Sequence, residues 1–513
     1  MKPIRLMSGF LTVGGWTLMS RVLGFVRDAM ILAFLGTGPV YQAYVVAFRL
    51  PNMFRRFFAE GAFNMAFVPM FSKKLENDDD ARAFAEDALS GLASILIVLT
   101  LLAQLAMPWL ILALASGFAG KPEFALSVEF GRIAFPYILF ISLAALLSGV
   151  LNATGRFAAA AAAPVLLNVL LVGAMVGAHL LGGDVARALI WAIPVAGVAQ
   201  MALVWVAASR AGFALRPRLP RLTPELKRLV RIAVPAAMAG GVVQINLLVG
   251  QQVASHFDTA VGWLYAADRL YQLPLGVVGI AIGVVLLPDL SRRLAAEDHT
   301  GSRDALSRAG EVSLGLTIPC AVALVVIPLP LVSVLFERGA TTAADSASIA
   351  QAVAIYGLGL PAFVLQKIYQ PLFFAREDTR SPFRYALAAM AVNAVIALGL
   401  APVVGWTAPA WAATIAGWAM VVLLVRGARP MGEVAQFDPR FHRRIWRIVA
   451  ASLAMGVICW ALAQLMAAAL YTQGIRYLAL AGLVGAGMVS YFAIAHMIGA
   501  LRLSEFKRAF KRS

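Results

Sequence analysis

The sequence predicts an all-α polytopic membrane protein: 14 transmembrane helices, forming two parallel six-helix lobes around a central cationic cavity, plus two C-terminal helices. Three observations lead there. Of the 513 residues, 61% are hydrophobic and only 13% charged, with a mean hydropathy of +0.82; soluble globular domains do not have this balance. Apolar runs of about 20 residues or more, long enough to span a bilayer as helix, recur from end to end. Basic residues concentrate on alternate connections between those runs, as the positive-inside rule requires of a multi-pass chain.

The expected spans are 8–36, 41–72, 84–116, 128–153, 157–181, 185–209, 224–255, 259–291, 306–336, 345–374, 381–404, 406–426, 445–469 and 477–501. The first run continues past Leu32 without a small-residue cleavage site, so no cleavable signal peptide is expected. Only Lys121, Arg187, Arg338 and Arg476 fall on odd-numbered connections. Arg21, Arg27, Arg49, Arg55, Arg56, Arg132, Arg269 and Lys367 fall well inside spans, and all other basic residues lie on the tails, on even-numbered connections or at the span ends adjoining them. The partition places both termini in the cytoplasm.

A faint duplication runs through the chain. FVPMFSKKL at 67–75 resembles LLPDLSRRL at 286–294, and Pro136, Thr154 and Asn168 recur as Pro361, Thr379 and Asn393, 225 residues later. Six helices separate the copies, an even number, so the halves are expected to be parallel repeats. The domain organisation follows: an N-lobe at 1–209, a basic cytoplasmic linker at 210–231, and a C-lobe at 232–428 whose first helix starts near 224. Residues 429–513 hold the last two helices and a basic tail. The linker suits a segment at the headgroups, and the acidic run 76–80 a solvated loop.

The charges inside the spans are the functional signal. A charge at the centre of a membrane helix costs about 2.5–3.5 kcal/mol, so such residues face a bundle interior or a wet cavity. In SRVLGFVRD, Ser20, Gly24, Arg27 and Asp28 share one helical face with Arg21 close to it, and Gly24 leaves room for a close approach. In FRLPNMFRRFFAEGAFN, Arg49, Asn52, Arg56 and Glu60 form one polar stripe, Arg55 points away from it, and Pro51 is expected to interrupt the helix. In the second lobe, Arg269 follows Asp268; neighbours on a helix do not face each other, which argues against a local pair. Guanidinium groups offer planar bidentate donors matched to phosphate, so such a chamber suits an anionic metabolite or the phosphate head of a lipid.

Other functions find little support. The five histidines are scattered without metal-ligand spacing, so no metal or cofactor is expected. Cys320 and Cys459 lie within apolar spans, and no phosphate-binding Walker loop is present. The net charge of +17 is juxtamembrane, which speaks against nucleic acid.

The segments SRVLGFVRD, AFRLPNMFRRFFAEGAFNMAFVP, FPYILFISLAALLSGVLN and YAADRLYQLPLGVVGIAIGVVLLPDLS resemble the signature segments of the MurJ (MviN) lipid II flippases. That family sits within the multidrug/oligosaccharidyl-lipid/polysaccharide exporter superfamily. The resemblance implies a transporter, not an enzyme. It would move undecaprenyl-diphosphate-linked peptidoglycan precursor from the cytoplasmic to the periplasmic leaflet by alternating access. It implies Arg21, Arg27, Asp28, Arg55 and Arg269 as head-group residues, and the helical faces add Ser20, Gly24, Arg49, Asn52, Arg56 and Glu60 as support for the cavity. Its implied partners are lipid II and membrane lipids, with cell-wall synthesis or division proteins as further candidates, and a monomer is expected. Two positions depart from the pattern: Gln42 and Gln272 stand where some members carry acids. Asn393 is a weak candidate for the sodium site of some relatives. The alternatives are an exporter of another polyprenyl-linked glycan or of drugs, and a membrane enzyme acting on polyprenyl phosphates.

Overall fold

The computed structural model describes residues 6–55, 62–77, 80–281 and 287–500, with the side chains at 234–247 and a few helix ends left aside. Every regular element among them is helical. Nine helical stretches among the described residues are long and apolar enough to cross a membrane. The chain divides into two compact units, 1–262 and 263–513.

The first unit contains α1 (Leu6–Leu35), α2 (Pro39–Arg55), α3 (Ala62–Glu76), α4 (Ala81–Leu114), α5 (Pro122–Ala134), α6 (Tyr137–Ala153), α7 (Ala158–Leu180), α8 (Val185–Arg210) and α9 (Pro224–Ala254). Here α1 packs on α7, α2 on α5, and α8 on both α6 and α7, while α9 lies against α3 and α4. Helix starts carry the residues that satisfy orphan backbone N–H groups. Asp80 accepts from Ala83 N at 3.0 Å, Asp184 from Ala186 N at 2.9 Å, and Thr223 from Leu226 N at 3.2 Å. Asp80, read from sequence as part of a solvated loop, is therefore a cap.

The second unit begins within α10 (Ala260–Ala281) and continues through α11 (Leu287–Ala295), α12 (His299–Val326), α13 (Pro328–Phe336), α14 (Ala343–Phe374), α15 (Arg380–Val404) and α16 (Ala408–Ala428). It ends with α17 (Pro439–Leu465), α18 (Ala467–Tyr471) and α19 (Arg476–Met497). Its core stacks α12 on α14, α14 on α16 and α16 on α15. The last long helices form a satellite: α17 packs on α12 and α19, and Tyr491 of α19 donates to the Gly315 carbonyl at 2.5 Å. Gly405, at φ 62°, ends α15 in a left-handed conformation that side chains rarely adopt.

Several sequence boundaries need correction. The span expected to start at 128 begins at Pro122 and bends at Pro136, where the proline ring removes a backbone donor. The span 306–336 starts at His299 and breaks between Ile327 and Pro328. Pro51 does not interrupt its helix, because α2 continues through it to Arg55; membrane helices tolerate internal proline where neighbours satisfy the freed groups.

Candidate functional site

The α1 cluster is built around Arg27. Apolar residues line α1 on both sides of SRVLGFVRD, which keeps the segment helical within the bilayer and sets its polar residues at helical spacing. Arg27 and Asp28 are only 9% and 7% exposed. The Arg27 guanidinium donates to Asp28 Oδ1 from Nε at 2.9 Å and from Nη2 at 2.6 Å. Its Nη1 donates to Asn168 Oδ1 at 2.8 Å, and Asn168 Nδ2 in turn donates to the Ser20 carbonyl at 3.0 Å. One carboxamide on α7 thus orients the guanidinium and holds the backbone of α1. Gly24 faces the same carboxamide: a Cβ there would lie 3.7 Å from Asn168 Nδ2. The close approach expected at Gly24 is made by this side chain.

Ser20, Gly24, Arg27 and Asp28 therefore share one face, as the helical spacing predicts. The Asp28 carboxylate is spent on its own neighbour, while the link between helices is made by Asn168, a residue singled out in the sequence only for its repeat at 393. Arg21 is exposed on α1 and forms no ion pair among the described residues.

On α2, Arg49, Asn52 and Arg55 are half-buried. Asn52 turns inward on its own helix, donating from Nδ2 to the Phe48 carbonyl at 3.0 Å. Arg56 and Glu60, the other members of the stripe, lie outside the described residues. Gln42, at the start of α2, is buried and donates to Glu123 Oε1 of α5 at 3.4 Å. Glu123 escaped the sequence reading because a lone acid beside Lys121 and Pro122 looks like a helix-start residue.

In the second unit Arg269 sits on α10, with Nη2 3.2 Å from Asp268 Oδ2 and its guanidinium carbon 4.4 Å from the centre of the Tyr265 ring. Asp268 and Arg269 do pair, contrary to the expectation from helix geometry: the Cα–Cβ vectors diverge, but the long arginine side chain folds back far enough to reach its neighbour. Gln272 also donates to Asp268. An amide at 272 can join that carboxylate, whereas a second acid one turn away would repel it. Asn393 is buried on α15. Among the described residues, no three His, Cys, Asp or Glu side chains are grouped to hold a metal ion.

Two further charged clusters lie at helix ends. Glu86 of α4, fully buried, accepts from Arg82 at 3.2 Å and from the backbone N of Arg216 at 3.0 Å, and forms an ion pair with the Arg218 guanidinium. Glu311 of α12, 3% exposed, accepts from Arg308 at 2.6 Å and Arg444 at 2.9 Å, with Arg440 at 3.5 Å. Glu86 and Glu311 stand 225 residues apart, the offset that relates Asn168 to Asn393.

Comparisons with known proteins agree with the helical architecture. The family model described as lipid II flippase MurJ matches residues 31–484. A probable lipid II flippase MurJ of Rhizobium meliloti (strain 1021) is 45% identical, over 99% of this chain and 96% of that protein. One of Rhizobium tropici is 42% identical, over 99% and 97%. Among solved structures, lipid II flippase MurJ in an inward closed conformation superposes with a TM-score of 0.80 at 22% identity, covering 95% of this chain and 98% of that one. An inward-facing multidrug resistance MATE transporter of the MOP superfamily gives 0.61 at 14% identity, covering 83% and 94%, a likeness of fold alone. With a family match across most of the chain and relatives at such identity across nearly all of it, the chain belongs to the MurJ lipid II flippase family.

Proposed function

We propose that the chain is a lipid II flippase of the bacterial cytoplasmic membrane. It carries the undecaprenyl-diphosphate-linked disaccharide-pentapeptide from the cytoplasmic to the periplasmic leaflet for cell-wall synthesis. The observation that supports this reading most directly is the α1 cluster: Arg27, held by Asp28 and Asn168, on the same helix as an exposed Arg21 without an ion pair among the described residues. A guanidinium facing acyl chains would be expensive, so Arg21 belongs against water or an anionic head group. Fixed guanidinium donors match a diphosphate in charge and in planar geometry.

In this reading Arg21, Arg27, Asp28 and Arg55 of the first unit, and Arg269 of the second, are head-group residues, supported by Ser20, Gly24, Arg49, Asn52, Arg56 and Glu60. The polyprenyl tail stays in lipid, and alternating access moves the head. The protein works as a monomer with both termini cytoplasmic, and its partners are lipid II and membrane lipids. Complementation in a bacterial strain depleted of its own lipid II flippase tests the assignment. Expression of this chain should restore growth and shape; a correctly inserted chain that never rescues would overturn it.

A further inference from the structure

We propose that Glu123 is a proton-binding site: a carboxylic acid that forms a cyclic hydrogen-bonded pair with the Gln42 carboxamide where α2 packs on α5. The two side chains are 8% and 2% exposed. Gln42 Nε2 donates to Glu123 Oε1 at 3.4 Å, but Gln42 Oε1 and Glu123 Oε2 are buried and have no hydrogen-bond partner among the described residues. Both are acceptors. A carboxylate can only accept, and the amide has already offered its donor, so the ionised pair leaves two buried oxygens unsatisfied at about 1–3 kcal/mol each. One hydrogen on Glu123 Oε2 cures both defects, donating to Gln42 Oε1 and closing an eight-membered acid–amide ring. Exchanging the amide oxygen and nitrogen does not remove the need, because the pair still holds three oxygens and a single donor group.

Among the described residues, the neighbouring charges are engaged elsewhere. Lys121, two residues before Glu123, is 2.7 Å from Asp258, and that hydrogen-bonded amine holds the exposed Asp258 carboxyl below the usual carboxylate range. Arg187 of α8 turns to Glu129 and Asp184. Arg132 of α5 donates to the Gln104 carbonyl of α4. The titratable groups of α2 near Gln42 are Tyr41 and Tyr44, both buried, with Arg49 about two turns further on. His256 beyond α9 faces Ser116, in the turn between α4 and α5. No ion pair reaches Glu123 among the described residues. The helix N-terminus favours negative charge, yet Glu123 Oε2 accepts no backbone N–H. Ser127, one turn along the same face, adds a third buried polar atom without a partner.

Infrared difference spectroscopy on the full chain in lipid nanodiscs, in sodium-free buffer, tests the site without reference to transport. Subtracting the Glu123→Gln spectrum from the wild type at pH 7 should leave one protonated-carboxyl C=O band that shifts in D2O. Glu123→Gln should melt with the wild type, since its amide can close the same ring. Should that variant fail to fold, Gln42→Leu decides, because the band must shift when the acid loses its amide partner. A carboxylate band in place of the acid band overturns the proposal. Conversion of the acid band to carboxylate on adding sodium at constant pH also overturns it, and would mark a metal-cation site.

Discussion

Arg27 shows how a buried cation is made tolerable and kept directional. Asp28 offsets its charge and Asn168 fixes its plane, so the guanidinium holds one orientation with little entropy left to lose on binding a ligand. Arg27→Ala and Arg269→Ala should abolish rescue of a flippase-depleted strain while membrane insertion, followed by immunoblot, stays normal. Arg27→Lys should retain little activity, because an ammonium cannot reproduce a planar bidentate contact. Asn168→Ala removes one hydrogen bond to a charged group, a contribution of about 1.5–3 kcal/mol. A transport assay in proteoliposomes should therefore show a loss of roughly tenfold or more, and an unchanged rate would remove Asn168 from the positioning role. The sequence placed Ser20, Gly24, Arg27 and Asp28 on one face because helical periodicity is local. It could not reveal that Asn168, 141 residues downstream of Arg27, completes the group.

At the scale of elements, each unit fastens a connecting segment to a buried glutamate, Glu86 in the second turn of α4 and Glu311 midway along α12. In the first unit Glu86 and Ser90 of α4 take the backbone N–H groups of Arg216 and Arg218, so the linker that follows α8 is tied down before α9 begins. In the second, Glu311 and Asp438 bind the start of α17 to α12: Arg308 contacts both acids, and Asp438 N donates to Ser307 Oγ at 3.0 Å. Removing one partner of a buried charged cluster costs about 3–5 kcal/mol, less where the arginines are half-exposed. Glu311→Ala should lower the unfolding temperature measurably, whereas substitution of the exposed Glu433 should not. Glu86→Gln should speed tryptic cleavage at Arg216 and Arg218; equal cleavage rates would deny the linker its anchor. The prolines and basic residues of the linker suggested an amphipathic or irregular segment, and the chain carries no helix between Arg210 and Pro224. What held it was not legible, since Glu86 reads in sequence as one more acid near a helix start.

For the whole molecule, the proposed reaction moves a head group of about two negative charges outward across a potential that is negative inside. With the arginines fixed in the protein, that transfer gains about 4–5 kcal/mol at 100 mV. Lipid II translocation in proteoliposomes should accelerate when an inside-negative potential is imposed and fall when it is collapsed. A rate indifferent to the potential would show that another gradient supplies the drive. Single cysteines placed in the basic connections, such as at Arg156 or Arg380, should resist membrane-impermeant reagents in intact cells, while one at Lys121 should react.

The helical membrane class was fixed by composition and periodicity, because apolar length and charge placement answer to the bilayer, a solvent whose demands are the same along the whole chain. The family likeness, too, was carried by contiguous segments in α1, from α2 into α3, in α6, and from α10 into α11. Only the folded chain decided which polar residues meet: Asn168 with Arg27, Gln42 with Glu123, Gln272 with Asp268, and Glu311 with Arg444. Three of those four contacts bring together side chains from different helices, and the fourth depends on how two carbonyl-bearing groups turn within one. Each turns on a side-chain direction, which low-dielectric surroundings reward strongly when partners meet and penalise when they do not.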